Sequence, residues 1–372
     1  MNKGVMEAFG DLADPRWRKC RHSLEELLLS ALSAMLCGVE DFETISLWGK
    51  AHVGWLRKFL AFENGVASPD TYRRVFGALN PGYFEECFVS WMLSWCPNLE
   101  GKHVAIDGKS VRGSRQGETS AIHLVSAWCS ENGLSLGQIK TEEKSNEITA
   151  IPELLKALEL KGAVITIDAM GTQHDIANTI IDAGANYILA VKDNQPALAA
   201  AVQEWFKSAR QGKLESSYWE DIEHDKGHGR LETRICRVTN DVGWLSATGQ
   251  NWNGIQRLVM VESHRTIKGK TTVENRYYIS SCEVKAREMA QFIRAHWGIE
   301  NSLHWVLDMS WGEDACTVRD RQAAQNLALL RKITLNLVRK APTYDKKRVS
   351  LKNTRNLAAW DENYREEVLG LI

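Results

Sequence analysis

His103-Val-Ala-Ile-Asp107-Gly-Lys-Ser-Val-Arg-Gly-Ser114 and Ala163-Val-Ile-Thr-Ile-Asp168-Ala-Met-Gly-Thr-Gln173 decide how this chain is read. Each opens with an apolar run too short for an amphipathic helix, and each run ends on an aspartate. Short apolar runs bounded by turn formers predict buried strands. Between them, residues 122–129 and 134–140 read as two more strands. Glu131-Asn132-Gly133 is the hairpin signal that joins these two. Residues 151–160 read as a helix, 173–183 as another, and 187–191 as a further strand.

Strand, hairpin, helix, strand, helix, strand describes an α/β fold, a mixed sheet with helices packed on it. A three-strand meander leading into parallel strands is the order of a ribonuclease-H-like core. Carboxylates just past the ends of buried parallel strands stand where α/β sheets place their ligands. A third acid, Glu300, lies in a long helical pattern expected over 286–309. Within it His296, Glu300, His304 and Asp308 recur every fourth residue, which places them along one helix face. Asp107, Asp168 and Glu300 together form a set of hard oxygen donors that suits Mg²⁺. Two such ions roughly 4 Å apart would clamp an in-line phosphoryl transfer. Lys109, Arg112, His296 and His304 are candidates for contact with phosphate.

Plainer readings exist for each piece. Asp107 suits a polar turn, Asp168 a helix N-cap, and the histidine stripe a solvated face. A zinc site on His296 and His304 lacks the His-Glu-x-x-His spacing. Asp193, Glu313, Asp314 and Asp320 are reserve carboxylates. Among other chemistries, the chain has no Gly-x-Ser-x-Gly elbow, no phosphate loop ending in Gly-Lys-Ser/Thr, and no Gly-x-Gly-x-x-Gly after a strand.

Outward from this core, the first hundred residues read as short helices. Ser23 and Glu26 form a capping-box signal ahead of an apolar helix ending at Gly38. A second helix is expected over 42–59. Ser68-Pro69-Asp70-Thr71 opens a third, which carries Arg73 and Arg74 and is stopped by Asn80-Pro81-Gly82; a fourth holds Phe84 to Trp91. A basic helix among short ones suits a helix-turn-helix-like DNA reader. Residues 196–281 read as a β-rich insertion, 321–339 as a last helix, and the remainder as a basic tail. The domains expected are 1–98, 99–340 with the insertion, and 341–372.

Composition sets the outer bounds. The chain has 372 residues, 44% hydrophobic and 25% charged, with net charge −1, so charge alone does not point to nucleic acid. Basic clusters do exist, at Arg16, Arg18, Lys19, Arg21 and His22 and again after Arg331. Eight cysteines without a Cys-x-x-Cys pair suit reduced thiols in the cytoplasm. No signal core and no apolar run of about 20 residues are present, so no membrane partner is expected.

Taken together, these motifs resemble the insertion-sequence transposases of the H-repeat-associated family, which have a DDE catalytic core. The resemblance is carried by Asp14-Pro15-Arg16, Ser68-Pro69-Asp70-Thr71, residues 105–114, Glu143 to Ile148, Thr166 to Met170, Lys192-Asp193-Asn194-Gln195 and His296 to Trp305. It implies a DNA transposase in which Asp107, Asp168 and Glu300 hold Mg²⁺, with Mn²⁺ as a substitute. It also implies an N-terminal reader of terminal inverted repeats, a homodimer on double-stranded DNA, and a prokaryotic, nucleoid-associated setting. Many related transposases carry a tyrosine and an arginine before the glutamate and a lysine after it. Here those places hold Ile293, His296 and Leu307. A DNA-binding protein that no longer cuts, and a nuclease without strand transfer, are the alternatives.

Overall fold

A computed structural model describes residues 4–17, 20–141, 147–214, 217–227 and 229–372. Arg18 and Lys19 of the first basic cluster and residues 143–146 of the quoted motifs lie outside the described residues. The strands are β1 (His103–Ser110), β2 (His123–Cys129), β3 (Leu134–Thr141), β4 (Val164–Ile167), β5 (Asn186–Val191), β6 (Trp219–Gly227), β7 (Arg230–Thr239), β8 (Arg257–Ile267) and β9 (Lys270–Ser280). They form one nine-stranded sheet in the order β3-β2-β1-β4-β5-β9-β8-β7-β6. Its first half has the expected ribonuclease-H-like order: β1 is antiparallel to β2 and parallel to β4, which is parallel to β5.

The second half is built by the strands of the expected β-rich insertion. β9 pairs antiparallel with β5, from Ile188 opposite Ser280 to Val191 opposite Tyr277, so β6–β9 extend the core sheet itself. Strand-length runs in the sequence predict strands, but not which free edge accepts them. β5 offers an unpaired edge, and β9 satisfies its backbone groups.

The core beside the sheet is helical and draws on both ends of the chain. The helix Leu24–Leu36 starts with the expected capping box, Ser23 with Glu26, and is buried all round. Glu26 also accepts from the Phe62 amide at 2.7 Å, which ties the following loop to this cap. Helices Pro69–Ala78 and Pro81–Trp95 pack with it around Arg321–Lys340, a helix buried along nearly its whole length. The expected basic tail contains two further helices, Leu351–Trp360 and Glu362–Leu369. Their Ala358, Tyr364, Val368 and Leu369 are buried in the same core, so this segment is part of the fold. No helix among the described residues is long and apolar enough to cross a membrane.

Asn336 is among the side chains that join the helical core to the sheet. β3 is an edge strand, and Asn336 lies fully buried against it. Asn336 Oδ1 accepts from the Ser135 amide at 3.0 Å, and its Nδ2 donates to the Ser135 carbonyl at 2.8 Å. Asn336→Leu would strand two buried backbone groups. It should cost about 2–4 kcal/mol of stability, read as a lowered urea midpoint with an unchanged slope. A midpoint like that of the natural protein would show that the amide bridge is dispensable.

Candidate active site

Pairing brings the two aspartates together. In the parallel register of β1 and β4, Ile106 lies opposite Ile167. The next residue on each chain is therefore Asp107 and Asp168, about 4.8 Å apart by strand spacing. Asp107 is within β1 rather than at its end, because β1 continues to Ser110. Asp168 lies just past β4, where its Oδ1 accepts from the Met170 and Gly171 amides at 3.0 and 3.3 Å. It thus fulfils the capping role and keeps an exposed carboxylate at the strand end.

Glu300 comes from the opposite wall, and here the expected continuous helix is broken. Ala286–Ala295 is α-helical, Ile299–His304 is a π-helical turn, and Trp305–Trp311 returns to α. Such wide turns are uncommon and cluster at functional sites. Glu300 is exposed in the first part of this turn.

The turn also divides the expected polar stripe. His296 points at the sheet, where its Nδ1 lies 2.8 Å from Thr166 Oγ1. Thr166 Oγ1 is in turn 2.7 Å from His103 Nε2, and His103 Nδ1 is 2.8 Å from Ser130 Oγ. Burial pushes His296 down to about 4 and His103 down to about 3, so both rings are neutral near pH 7. His296 is therefore held against β4 through Thr166. His304 goes elsewhere: it is buried, with Nδ1 3.4 Å from Asp107 Oδ2. Burial, then the nearby Lys332 and Lys109, push His304 down to about 3. Its Nε2 has no hydrogen-bond partner among the described residues. Since the two rings serve different partners, they do not form the zinc pair considered from sequence.

The other candidates are also engaged. Lys109 Nζ lies 2.5 Å from Asp308, 2.6 Å from Glu313 and 3.5 Å from Asp314. Arg112 is exposed, and its amide donates to Asp314 Oδ1 at 3.1 Å. Arg73 pairs with Glu43, and Arg74 pairs with Asp70 at 3.0 Å, both on the surface of the helical region. Of the reserve carboxylates, Glu313 is buried. Burial pushes it up, but Lys109, Lys332 and Arg331 together hold it near 2.

Two residues escaped the sequence reading. Behind Asp107, on the other face of β1, His123 Nε2 lies 2.5 Å from Glu147 Oε1, and both side chains are buried. His123 Nδ1 is 2.9 Å from Ser110 Oγ. This pair explains Gly108, since a Cβ there would sit 2.3 Å from Glu147 Oε1. The visible signal was a glycine between Asp107 and Lys109 in a strand, which marks a close approach.

The electrostatics tie the acids into one site. Burial pushes the Asp107 carboxyl up, and Asp168, Glu300 and Glu147 add repulsion against one stabilising amide from Gly108; the outcome is about 7. Among the described residues no group of three His, Cys, Asp or Glu side chains is placed so that it could hold a metal ion. The acids are nonetheless near enough to burden each other, and a divalent cation would relieve that burden. Carboxylate oxygens such as these are hard donors, the chemical class that divalent cations take as ligands.

Residues 98–337 match the family described as "Transposase DDE domain", and residues 6–92 match its associated region, DDE_Tnp_1-associated. The chain belongs to the DDE transposase family. It is 41% identical over 358 residues to "Putative transposase YncI" of Escherichia coli O157:H7, covering 94% of this chain and 90% of that one. It is 39% identical to "H repeat-associated putative transposase YhhI" of Escherichia coli K12, covering 99% and 98%. A solved piggyBac transposase synaptic complex with hairpin DNA aligns at 11% identity and TM-score 0.45, covering 98% of this chain and 76% of that one.

Asp107 gives this DDE transposase a pH signature. Its carboxyl holds a proton up to about pH 7 when folded, against 3.8 ordinarily. The folded state therefore binds more protons between these values, and its stability falls as pH rises through them. Without divalent cations, the natural protein should lose melting temperature relative to Asp107→Asn between about pH 4 and 7. Calorimetric melts across that range check this, and a constant gap between the two proteins would refute the crowding of the acids.

Proposed function

We propose that this DDE transposase cuts DNA at the ends of an insertion element and joins the freed ends to target DNA. The observation that supports the proposal is the register that sets Asp107 of β1 and Asp168 beyond β4 on adjacent strands, with Asp168 and, from the π-helical turn, Glu300 both raising the Asp107 carboxyl. The likeness to relatives named as putative transposases supports the same reading.

Asp107, Asp168 and Glu300 would hold Mg²⁺, or Mn²⁺ in its place. A divalent ion there supplies neutralisation of phosphate charge and lowers the cost of forming an oxygen nucleophile. The rest is done by the chain. β1 and β4 fix two carboxylates at strand spacing, with Asp168 further restrained by two amides. His304, buried and neutral, lies beside Asp107 with its Nδ1 3.4 Å from Asp107 Oδ2. In the first step a P–O bond to the element's 3′ oxygen breaks as water oxygen bonds to phosphorus, leaving a 3′-hydroxyl. In the second, that hydroxyl bonds to a target phosphorus, its proton leaves to solvent, and the target's own 3′ oxygen departs.

The helical region with Arg73 and Arg74 is the proposed reader of the element's ends. Arg112, exposed beside the acids, is the proposed contact for phosphate near the cut. Joining two ends calls for two copies of the chain on DNA. Phosphate contacts release counterions, so affinity should fall steeply with salt.

Labelled end DNA with Mg²⁺ tests the chemistry. Asp168→Asn should retain DNA binding and lose at least about a hundred-fold in cleavage. Joined products with a target plasmid would distinguish strand transfer from nicking alone. Equal cleavage by Asp168→Asn, or none by folded, DNA-bound natural protein, would refute the proposal.

A further inference from the structure

Lys109 lies on β1 two residues after Asp107 and on the same face of the sheet. A lysine beside a phosphoryl-transfer site invites the reading that it holds phosphate. The geometry opposes this. An ammonium group has three N–H donors. Here Asp308, Glu313 and Asp314 provide carboxylate oxygens at 2.5, 2.6 and 3.5 Å, and only 12% of the side chain is exposed. Every donor of Lys109 is matched to a carboxylate of the chain itself.

Those carboxylates belong to the segment that follows Glu300. Asp308 is in the helix Trp305–Trp311, directly after the π-helical turn, and Glu313 and Asp314 are in the loop beyond it. The loop meets the β1 side at two more points. The Arg112 amide donates to Asp314 Oδ1 at 3.1 Å, and Gly113 packs so tightly that a Cβ would lie 1.9 Å from the Cys316 carbonyl oxygen. At the other end, His304 within the turn reaches Asp107. The segment carrying Glu300 is thus joined to the β1 side through His304 within it and, beyond its end, through the Lys109 cluster.

We propose that Lys109 is a positioning residue whose ion pairs with Asp308 and Glu313 hold the Glu300 turn in register with Asp107, so that the acids can share divalent cations. This rests on the metal-dependent reading above. A helix carrying a ligand has to be fixed against the strand carrying another, because ligand sites loosened in their supporting contacts lose affinity.

The test is Mn²⁺ titration by calorimetry on the full chain, together with DNA binding in EDTA. Lys109→Met should weaken Mn²⁺ binding about 10- to 100-fold, with DNA affinity and its salt slope unchanged. In cleavage assays the Mg²⁺ needed for half-maximal rate should rise in proportion, with the rate largely recovered at saturating Mg²⁺. Lys109→Met leaves Glu313 buried without its nearest cation, so Asp308→Asn, at the accessible side of the cluster, is the second variant. It should shift Mn²⁺ affinity in the same direction by a smaller factor. Unchanged Mn²⁺ affinity in both variants would overturn the positioning role. So would a loss of metal-free DNA affinity with a salt slope reduced by about one, the signature of a phosphate contact. Failure of the natural chain to take up Mn²⁺ at all would overturn the metal-dependent reading along with it.

Discussion

Parallel strands cannot be joined by a tight turn, so β4 reaches β1 only after the chain has passed through β2, β3 and the helix Glu147–Ala157. That crossover sets side by side two aspartates that are far apart in sequence, and everything else at the site answers to their proximity. Like charges at strand spacing, partly removed from water, oppose each other and oppose burial. Burial, with the charges of Asp168, Glu300 and Glu147 added, pushes the Asp107 carboxyl up to about 7. Gly108 leaves room behind β1 for the His123–Glu147 pair, and His304 lies neutral beside Asp107.

The counterweight comes from the helix Arg321–Lys340. Arg331 and Lys332 are buried in it, an arrangement that polar partners must compensate. Lys332 donates to Gln138 Oε1 at 2.6 Å, and Arg331 donates to the Trp311 and Glu40 carbonyls. Burial lowers Lys332 to about 8 even with Glu313 nearby. These cations and Lys109 keep Glu313 ionised in the interior. The helix that packs the core thus also supplies positive charge to Glu313, in the loop that follows the Glu300 segment.

Much of this was legible in the residues. The apolar runs before Asp107 and Asp168, the Asn132-Gly133 hairpin and the Ser23–Glu26 box each have a local cause, and each appears where expected. What failed to show depends on contacts across the chain. Asn80-Pro81-Gly82 reads as a stop, yet Asn80 accepts from the Gly82 and Tyr83 amides and opens the next helix. The π-helical turn has no local signature: a four-residue polar spacing looks the same whether the helix continues or widens. The roles of Lys109 and His296 were set by partners about 200 and 130 positions away, which spacing cannot reveal. The placement of β6–β9 was hidden for a related reason, because alternation defines a strand's faces and leaves its neighbour open.

The two ends of the long sheet are finished by different means, and this bears on how the molecule behaves among its own copies. At β3 the side-chain amide of Asn336 occupies backbone groups that would otherwise accept a further strand. At β6 the edge is largely open to solvent, with Trp219 and Ile222 half exposed. There the guard is chemical: Glu220, Asp221, Glu223 and Asp225 crowd acid along one short strand. Arg237, Arg234 and Arg294 pair with Glu220, Glu223 and Asp225, so this edge carries a charged border in place of an apolar one. One border of the sheet is closed by shape and the other by charge, so only the second yields to salt or acid.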